Sequence, residues 1–132
     1  MKIYLNNNQN ETLAKIEKFT QPSSLRWVMV DKDESDNGSF YRKISKLEFH
    51  PYPDDISSRP CWILGDLIGF VDNCIKQGYE WKISMGNTDY DTALSNKNEV
   101  IYINNGVQKK FHKNDELIDN LYDAIINFLT EK

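Results

Sequence analysis

The stretch Trp62–Met85, WILGDLIGFVDNCIKQGYEWKISM, constrains the fold more than any other part of the chain. On a wheel of about 100° per residue, Ile63, Leu64, Leu67, Ile68, Phe70, Val71, Cys74 and Ile75 fill an arc of roughly 160°, a core-facing stripe. Trp62, Gly65, Asp66, Gly69, Asp72, Asn73, Lys76 and Gln77 fill the remainder. Gly78 stands where a helix ends in a left-handed residue. Tyr79–Met85 then alternate, with Tyr79, Trp81, Ile83 and Met85 on one side. A helix over about 62–78 is therefore expected, followed directly by a strand. Two starts fit: Cys61 after Pro60 begins the helix, or Trp62–Leu64 is extended and Asp66 is the N-cap. Glycine on an exposed helix face costs about 1 kcal/mol relative to alanine. Either something approaches Gly65 and Gly69 closely, a partner or the loop His50–Asp55, or the helix starts at Asp66 and Gly65 is a turn.

The remaining elements follow from period and punctuation. Lys2–Leu5 reads as a short strand and Asn6–Asn10 as a polar loop. Leu13, Ile16 and Phe19 give a brief helix over 11–19, broken by Gln21–Ser24. Leu25–Val30 is a strand with apolar residues on both faces, which suggests a central position. Asp31–Ser39 is a loop, with Asn37-Gly38 as its tight turn. Phe40–Phe49 returns as a second strand whose phase changes between Ile44 and Leu47, which suggests a bulge near Ser45. His50–Pro60 is an extended connection. Glu99–Phe111 is a hairpin around Asn104-Asn105-Gly106. A three-residue loop would put Ile101, Ile103, Val107 and Phe111 on one face, and the apolar pattern favours it over a two-residue turn. Asn114 caps a final helix over about 115–130, whose apolar side carries Leu117, Ile118, Leu121, Tyr122, Ile125, Ile126, Phe128 and Leu129. The expected architecture is one domain, residues 1–132, of the α+β class. It has a mixed or mainly antiparallel sheet of about five to six strands and two principal helices.

No motif in the chain carries chemistry by itself. Cys61 and Cys74 form neither a CxxC pair nor a disulfide framework, and His50 and His112 have no ligand-spaced neighbour, so no metal site is expected. The run from Asp31 begins like a calcium loop. It then places Asp36 where glycine is required and Arg42 where a bidentate glutamate is required. Gly-rich phosphate loops are absent. The pairs Asp54-Asp55 and Asp89-x-Asp91 fall in loops and could hold Mg²⁺ or Mn²⁺, but they are also ordinary turn formers. Lys109, Lys110 and Lys113 interleave with Phe111 and His112. Their position before an acidic helix favours internal pairing over nucleic acid.

Charge is the other signal. The 20 acidic and 16 basic residues give a net −4, which argues against general binding to a phosphate backbone and suits a basic partner. Two acidic surfaces are expected: the loop Asp31, Asp33, Glu34 and Asp36, and the ridge Glu116, Asp119 and Asp123. Asp89, Tyr90 and Asp91 form a second candidate contact. No apolar run reaches the length of a membrane span or a secretory signal, so a cytoplasmic location without membrane contact is expected.

In size, acidity, α+β layout, Asn/Lys/Ile-rich composition and lack of catalytic motifs, the chain resembles the small immunity proteins of bacterial toxin–immunity systems, including contact-dependent inhibition. The resemblance transfers no residue role. It implies a cytoplasmic, non-enzymatic protein without cofactor that binds a cognate toxin domain and blocks its active site or substrate groove. Two other readings stay open. One is a Mg²⁺- or Mn²⁺-dependent hydrolase using Asp54, Asp55, Asp89 and Asp91. The other is a subunit of a larger assembly, which would expose an apolar patch.

Overall fold

The helix inside the central stretch starts at Leu64, directly after an extended Ile63, and ends at Lys76. The computed structural model describes residues 1–33, 41–49, 59–85 and 98–131, with 28–33 and 41–49 described through their backbone pairing. In chain order the elements are α1 (Asn7–Ala14), β1 (Leu25–Asp33), β2 (Tyr41–Phe49), β3 (Arg59–Cys61), α2 (Leu64–Lys76), β4 (Glu80–Met85), β5 (Asn98–Asn104), β6 (Val107–Phe111) and α3 (Leu117–Thr130). The α+β class and the antiparallel pairing are as expected, but the strands do not form one sheet. They divide into two three-stranded antiparallel sheets, ordered β2-β1-β3 and β4-β5-β6. The break falls at α2, which separates β3 from β4 in the chain. β3 is three residues long, and its Pro60, opposite Arg26, has no N–H to extend a ladder.

Neither proposed start of α2 is correct. Asp66 is the third residue of the helix, and its carboxylate accepts the Ile63 N–H at 3.0 Å. This is the reciprocal half of a capping box, the other half being unavailable to an isoleucine. Trp62 precedes the helix and is buried, with its indole N–H donating to the Gln21 carbonyl at 2.8 Å. Its ring meets Phe19 edge-on at 5.2 Å. The apolar stripe is narrower than the wheel suggests. Leu67, Val71 and Cys74 are buried, whereas Ile68 and Ile75 are 40% and 47% exposed. The close approach at Gly69 is made by Gln21, whose amide nitrogen lies 3.0 Å from where a Cβ would stand.

α1 starts earlier than its apolar spacing implies. Asn6 and Gln9 form a capping box: the Gln9 N–H donates to Asn6 Oδ1 at 2.8 Å and the Asn6 N–H to Gln9 Oε1 at 3.0 Å. The expected loop Asn6–Asn10 is therefore the first turn of a helix. β1 and β2 pair without interruption from Leu25↔Phe49 to Asp33↔Tyr41. There is no bulge at Ser45, which sits opposite Met29; Ile44 and Leu47 fall on opposite faces of a regular strand. The β5–β6 connection is a two-residue turn, Asn104 opposite Val107, with positive φ at both Asn105 (52°) and Gly106 (78°). That is the mirror-image turn whose twist matches the strands. The three-residue register is not adopted because it would turn Tyr102 away from the core. Val100 and Tyr102 are the fully buried positions of β5, and Ile103 is 37% exposed on the opposite side.

The core lies between the β4-β5-β6 sheet and α3, and continues under α2 and the N-terminal segment. Leu117, Ile118, Leu121, Ala124, Ile125 and Leu129 of α3 are buried. Trp81, Tyr102 and Phe128 form an aromatic cluster with ring centroids 4.7–5.5 Å apart, and Phe111 stacks on Tyr102 at 5.9 Å. Each such pair adds about 0.5–1.5 kcal/mol beyond its buried area.

The glycines at the two ends of α2 test this account. Gly65 is exposed, and a Cβ there would meet only Ile63 Cδ1 at 3.9 Å, so Gly65→Ala should stabilise the protein by roughly 0.5–1 kcal/mol. Gly78 has φ +102°, and Gly78→Ala should cost roughly 1–2 kcal/mol. Urea midpoints should move in opposite directions with the slope unchanged.

Candidate functional site

The acidic residues expected in the first hairpin loop are divided by the structure. Asp31 and Asp33 belong to β1, opposite Lys43 and Tyr41 of β2, so they are ladder positions and not loop positions. Two residues apart on a strand, they share a face. Lys32 falls on the other, opposite Arg42. β3 begins at Arg59 opposite Trp27, and among the described residues the strand paired with β1 at Asp31 and Asp33 is β2. Glu34, Asp36, Asp89, Tyr90 and Asp91 lie outside the described residues. So do Asp54, Asp55, His50 and the Asn37-Gly38 turn.

The second acidic surface is not a free ridge. Glu116 accepts the backbone N–H of Lys2 at 2.8 Å. Asp119 Oδ1 accepts from Lys2 Nζ at 2.7 Å and from Gln9 Nε2 at 2.8 Å. Asp123 accepts from Asn114 Nδ2 at 3.0 Å. The first turn of α3 is thus the anchor for the N-terminal segment, which also pairs with the residues before α2: Leu5 N–H to Trp62 O at 3.0 Å and Leu64 N–H to Ile3 O at 2.9 Å. Acidic residues near a helix N-terminus are favoured by its dipole, and here they hold a cation as well.

Asn114 does not cap α3. Its backbone N–H donates to Asn120 Oδ1 at 2.9 Å, and its carbonyl accepts from Asn120 Nδ2 at the same distance. Asn120 also donates to Asn98, which in turn donates to the Asp115 carbonyl at 2.8 Å. This buried asparagine relay joins the start of β5 to the turn before α3. Its sequence signal was a polar residue inside the buried arc of α3, a position that is costly unless hydrogen-bonded. At the other end of α3, Tyr102 donates to Asn127, and Asn104 and Lys109 both bond Glu131. The Asn104 amide, then Lys109, hold the Glu131 carboxyl below its usual range, while burial pushes the Tyr102 phenol up. Lys109 and Lys110 pair with Glu131 at 3.2 Å and Glu99 at 3.9 Å, the internal pairing expected for this basic cluster, although with partners outside α3.

Neither thiol is placed to act as a nucleophile. Cys61 is fully buried, with Sγ 3.7 Å from the Leu5 carbonyl. Burial raises its pKa, against smaller opposing effects from Asn10 and Trp27. Burial alone pushes Cys74 up to about 11. Both are free. Among the described residues no group of three His, Cys, Asp or Glu side chains could hold a metal ion. No described helix is long and apolar enough to cross a membrane. Comparison with known protein families, curated proteins and solved structures finds no match for the chain.

Two measurements follow from this geometry. Asp119→Ala removes the acceptor shared by Lys2 and Gln9 and should cost roughly 1–2 kcal/mol, with faster amide exchange at Leu5. A double-mutant cycle with Lys2→Ala should return most of that as coupling. The thiols give a pH test. Cys74 ionises at about 11 when folded and at an ordinary 9.0 when unfolded. Its contribution is therefore intact below pH 9 and is lost between pH 9 and 11, as the unfolded chain ionises first. Urea stability over that range should fall more steeply for the wild type than for Cys74→Ala. A thiol reagent at neutral pH should label the native protein far more slowly than the denatured one.

Proposed function

We propose that the chain is a non-enzymatic binding protein, an immunity protein that neutralises a cognate bacterial toxin in the cytoplasm. In this reading it covers the toxin's active site or substrate groove with an acidic surface. The observation that carries the reading is the position of Asp31 and Asp33. They share one face of β1, in register with Lys43 and Tyr41 of β2. A pair of carboxylates two residues apart on one face of a strand suits recognition of a basic surface, such as that of a nuclease. The net charge of −4 would steer such an encounter. The ionisable groups of Lys2, Asp66, Glu116, Asp119 and Glu131 are engaged in ties that hold the fold, and both thiols are buried. This favours binding over catalysis among the described residues.

The experiment is to identify a secreted toxin domain encoded beside the gene and to co-express the chain with it; the absence of any such neighbour would itself count against the proposal. The expected result is protection of the cells and a stable complex. Asp31→Lys with Asp33→Lys should slow association about tenfold at low salt and much less at high salt. Survival of toxin activity at saturating concentrations of the chain would overturn the proposal.

A further inference from the structure

A cleft of about 400 Å³ opens where the ends of α2 and α3 meet the segment between α1 and β1. Its floor is aromatic. Tyr79 meets Phe128 edge-on at 5.0 Å, and Phe70 meets Phe128 at 6.3 Å. Gly78, with its positive φ, turns the chain back at the end of α2. Tyr79 is thereby set into the cleft wall, 42% exposed, and not onto the inward face that strand alternation assigns it. An aromatic ring left open to water beside two others is apolar surface without a cover.

The rim is polar and uncommitted. Asn73 and Gln77 lie four residues apart, on one face at the C-terminal end of α2, and Lys18 lines the same cleft. None of these three side chains makes a hydrogen bond or ion pair with another described residue. Lys76, also on the rim, is accounted for by its ion pair with Asp72 at 2.9 Å and by its place in the last turn of a helix. Lys18 has neither explanation. The Asn73, Cys74 and Ile75 carbonyls near the end of α2 are capped by the N–H groups of Gln77, Gly78 and Tyr79, so these three do not compete for the rim donors. A volume of this size, an apolar floor and a few converging polar groups are the usual attributes of a small-ligand site.

We propose that this cleft binds a small aromatic carboxylate: the ring packs on Phe70, Tyr79 and Phe128, and the carboxylate is met by Lys18 and the amide donors of Asn73 and Gln77. The same chemistry is offered by a free aromatic acid and by the C-terminal residue of a peptide ending in phenylalanine. The site is separate from Asp31 and Asp33 and does not depend on the toxin reading.

The test is amide NMR on the intact chain, titrated with 3-phenylpropionate, its neutral amide, and a pentapeptide ending in phenylalanine as free acid or amide. Saturable shifts are expected at Lys18, Asn73, Gln77 and Tyr79 with the acids, at concentrations up to about 10 mM. The neutral amides should bind about tenfold more weakly. Lys18→Glu, an exposed change that should leave the thermal melt unaltered, should weaken the acids about tenfold and the amides little. Tyr79→Ala should remove binding of both. A peptide acid much tighter than 3-phenylpropionate assigns the site to a protein C-terminus, and equal affinities assign it to a free acid. Equal binding of acids and amides, insensitivity to Lys18→Glu, or no shift at these four residues would overturn the proposal.

Discussion

The carboxylate of Asp66 is the junction on which the arrangement of this chain depends. It is nearly buried and accepts three hydrogen bonds: from the Ile63 N–H at 3.0 Å, the Ser24 N–H at 2.8 Å and the Ser24 hydroxyl at 2.5 Å. Ser24 leads into β1, and Ile63 leads from β3 into α2. One side chain therefore fixes the entry to the first sheet against the helix that carries the chain to the second. Bonds to a charged acceptor are about twice as strong as neutral ones, and a buried carboxylate without them would cost several kcal/mol. With Trp62 bonded to Gln21 on one side and Asn10 on the other, and Ile3 and Leu5 paired with Leu64 and Trp62, the residues at the start of α2 are gripped by three separate segments. The sheets can part company at this point because the helix start, and not a continuous ladder, holds them in place.

Much of this was legible in the sequence. The 3.6-residue period located α2 and α3, the glycine at 78 located the end of α2, and the alternation over 79–85 located β4. Long periodic segments state their structure many times over. What escaped was set by single polar contacts. Asp66 reads equally well as a cap or as the third residue of a helix until Ser24 is placed beside it. Trp62 looks like part of the polar face because a wheel assumes that it is helical. The Asn6/Gln9 capping box was visible as Asn-x-x-Gln, and weight given to apolar spacing alone hid it. The isoleucine pattern points to the wrong face of β5 because Tyr102 is fully buried on the other while Ile103 is 37% exposed, and the Tyr102 hydroxyl has Asn127 to satisfy it.

Charge was the least legible property. Acidic residues gathered on one helix turn suggest a surface to be covered by something else, yet Glu116 and Asp119 are occupied by residues near the start of the same chain. A sequence gives the sign and density of charge but not which cation will fold back onto it. The contacts concerned span more than a hundred residues. By the same reasoning Lys18 is of interest: Lys15 and Lys76 pair with Glu11 and Asp72, and Lys18 makes no ion pair with another described residue. Of the expected contact residues, only Asp31 and Asp33 can be placed, and their register opposite Lys43 and Tyr41 comes from a ladder that extends three residues beyond the apolar signal.

The clasp between Lys2 and α3 joins residues 114 and 117 positions apart. Closing a loop of that length costs about 4 kcal/mol of chain entropy beyond the constant term, so the clasp forms once most of the remaining fold is in place. During synthesis Lys2 would wait for residues more than a hundred positions later, and Ile3 and Leu5 for their partners at residues 62–64. A contact made late contributes little to the rate of folding and much to the slowness of unfolding. The N-terminal segment then acts as a latch: it does not direct the chain to its structure, but it sets how long the chain stays there.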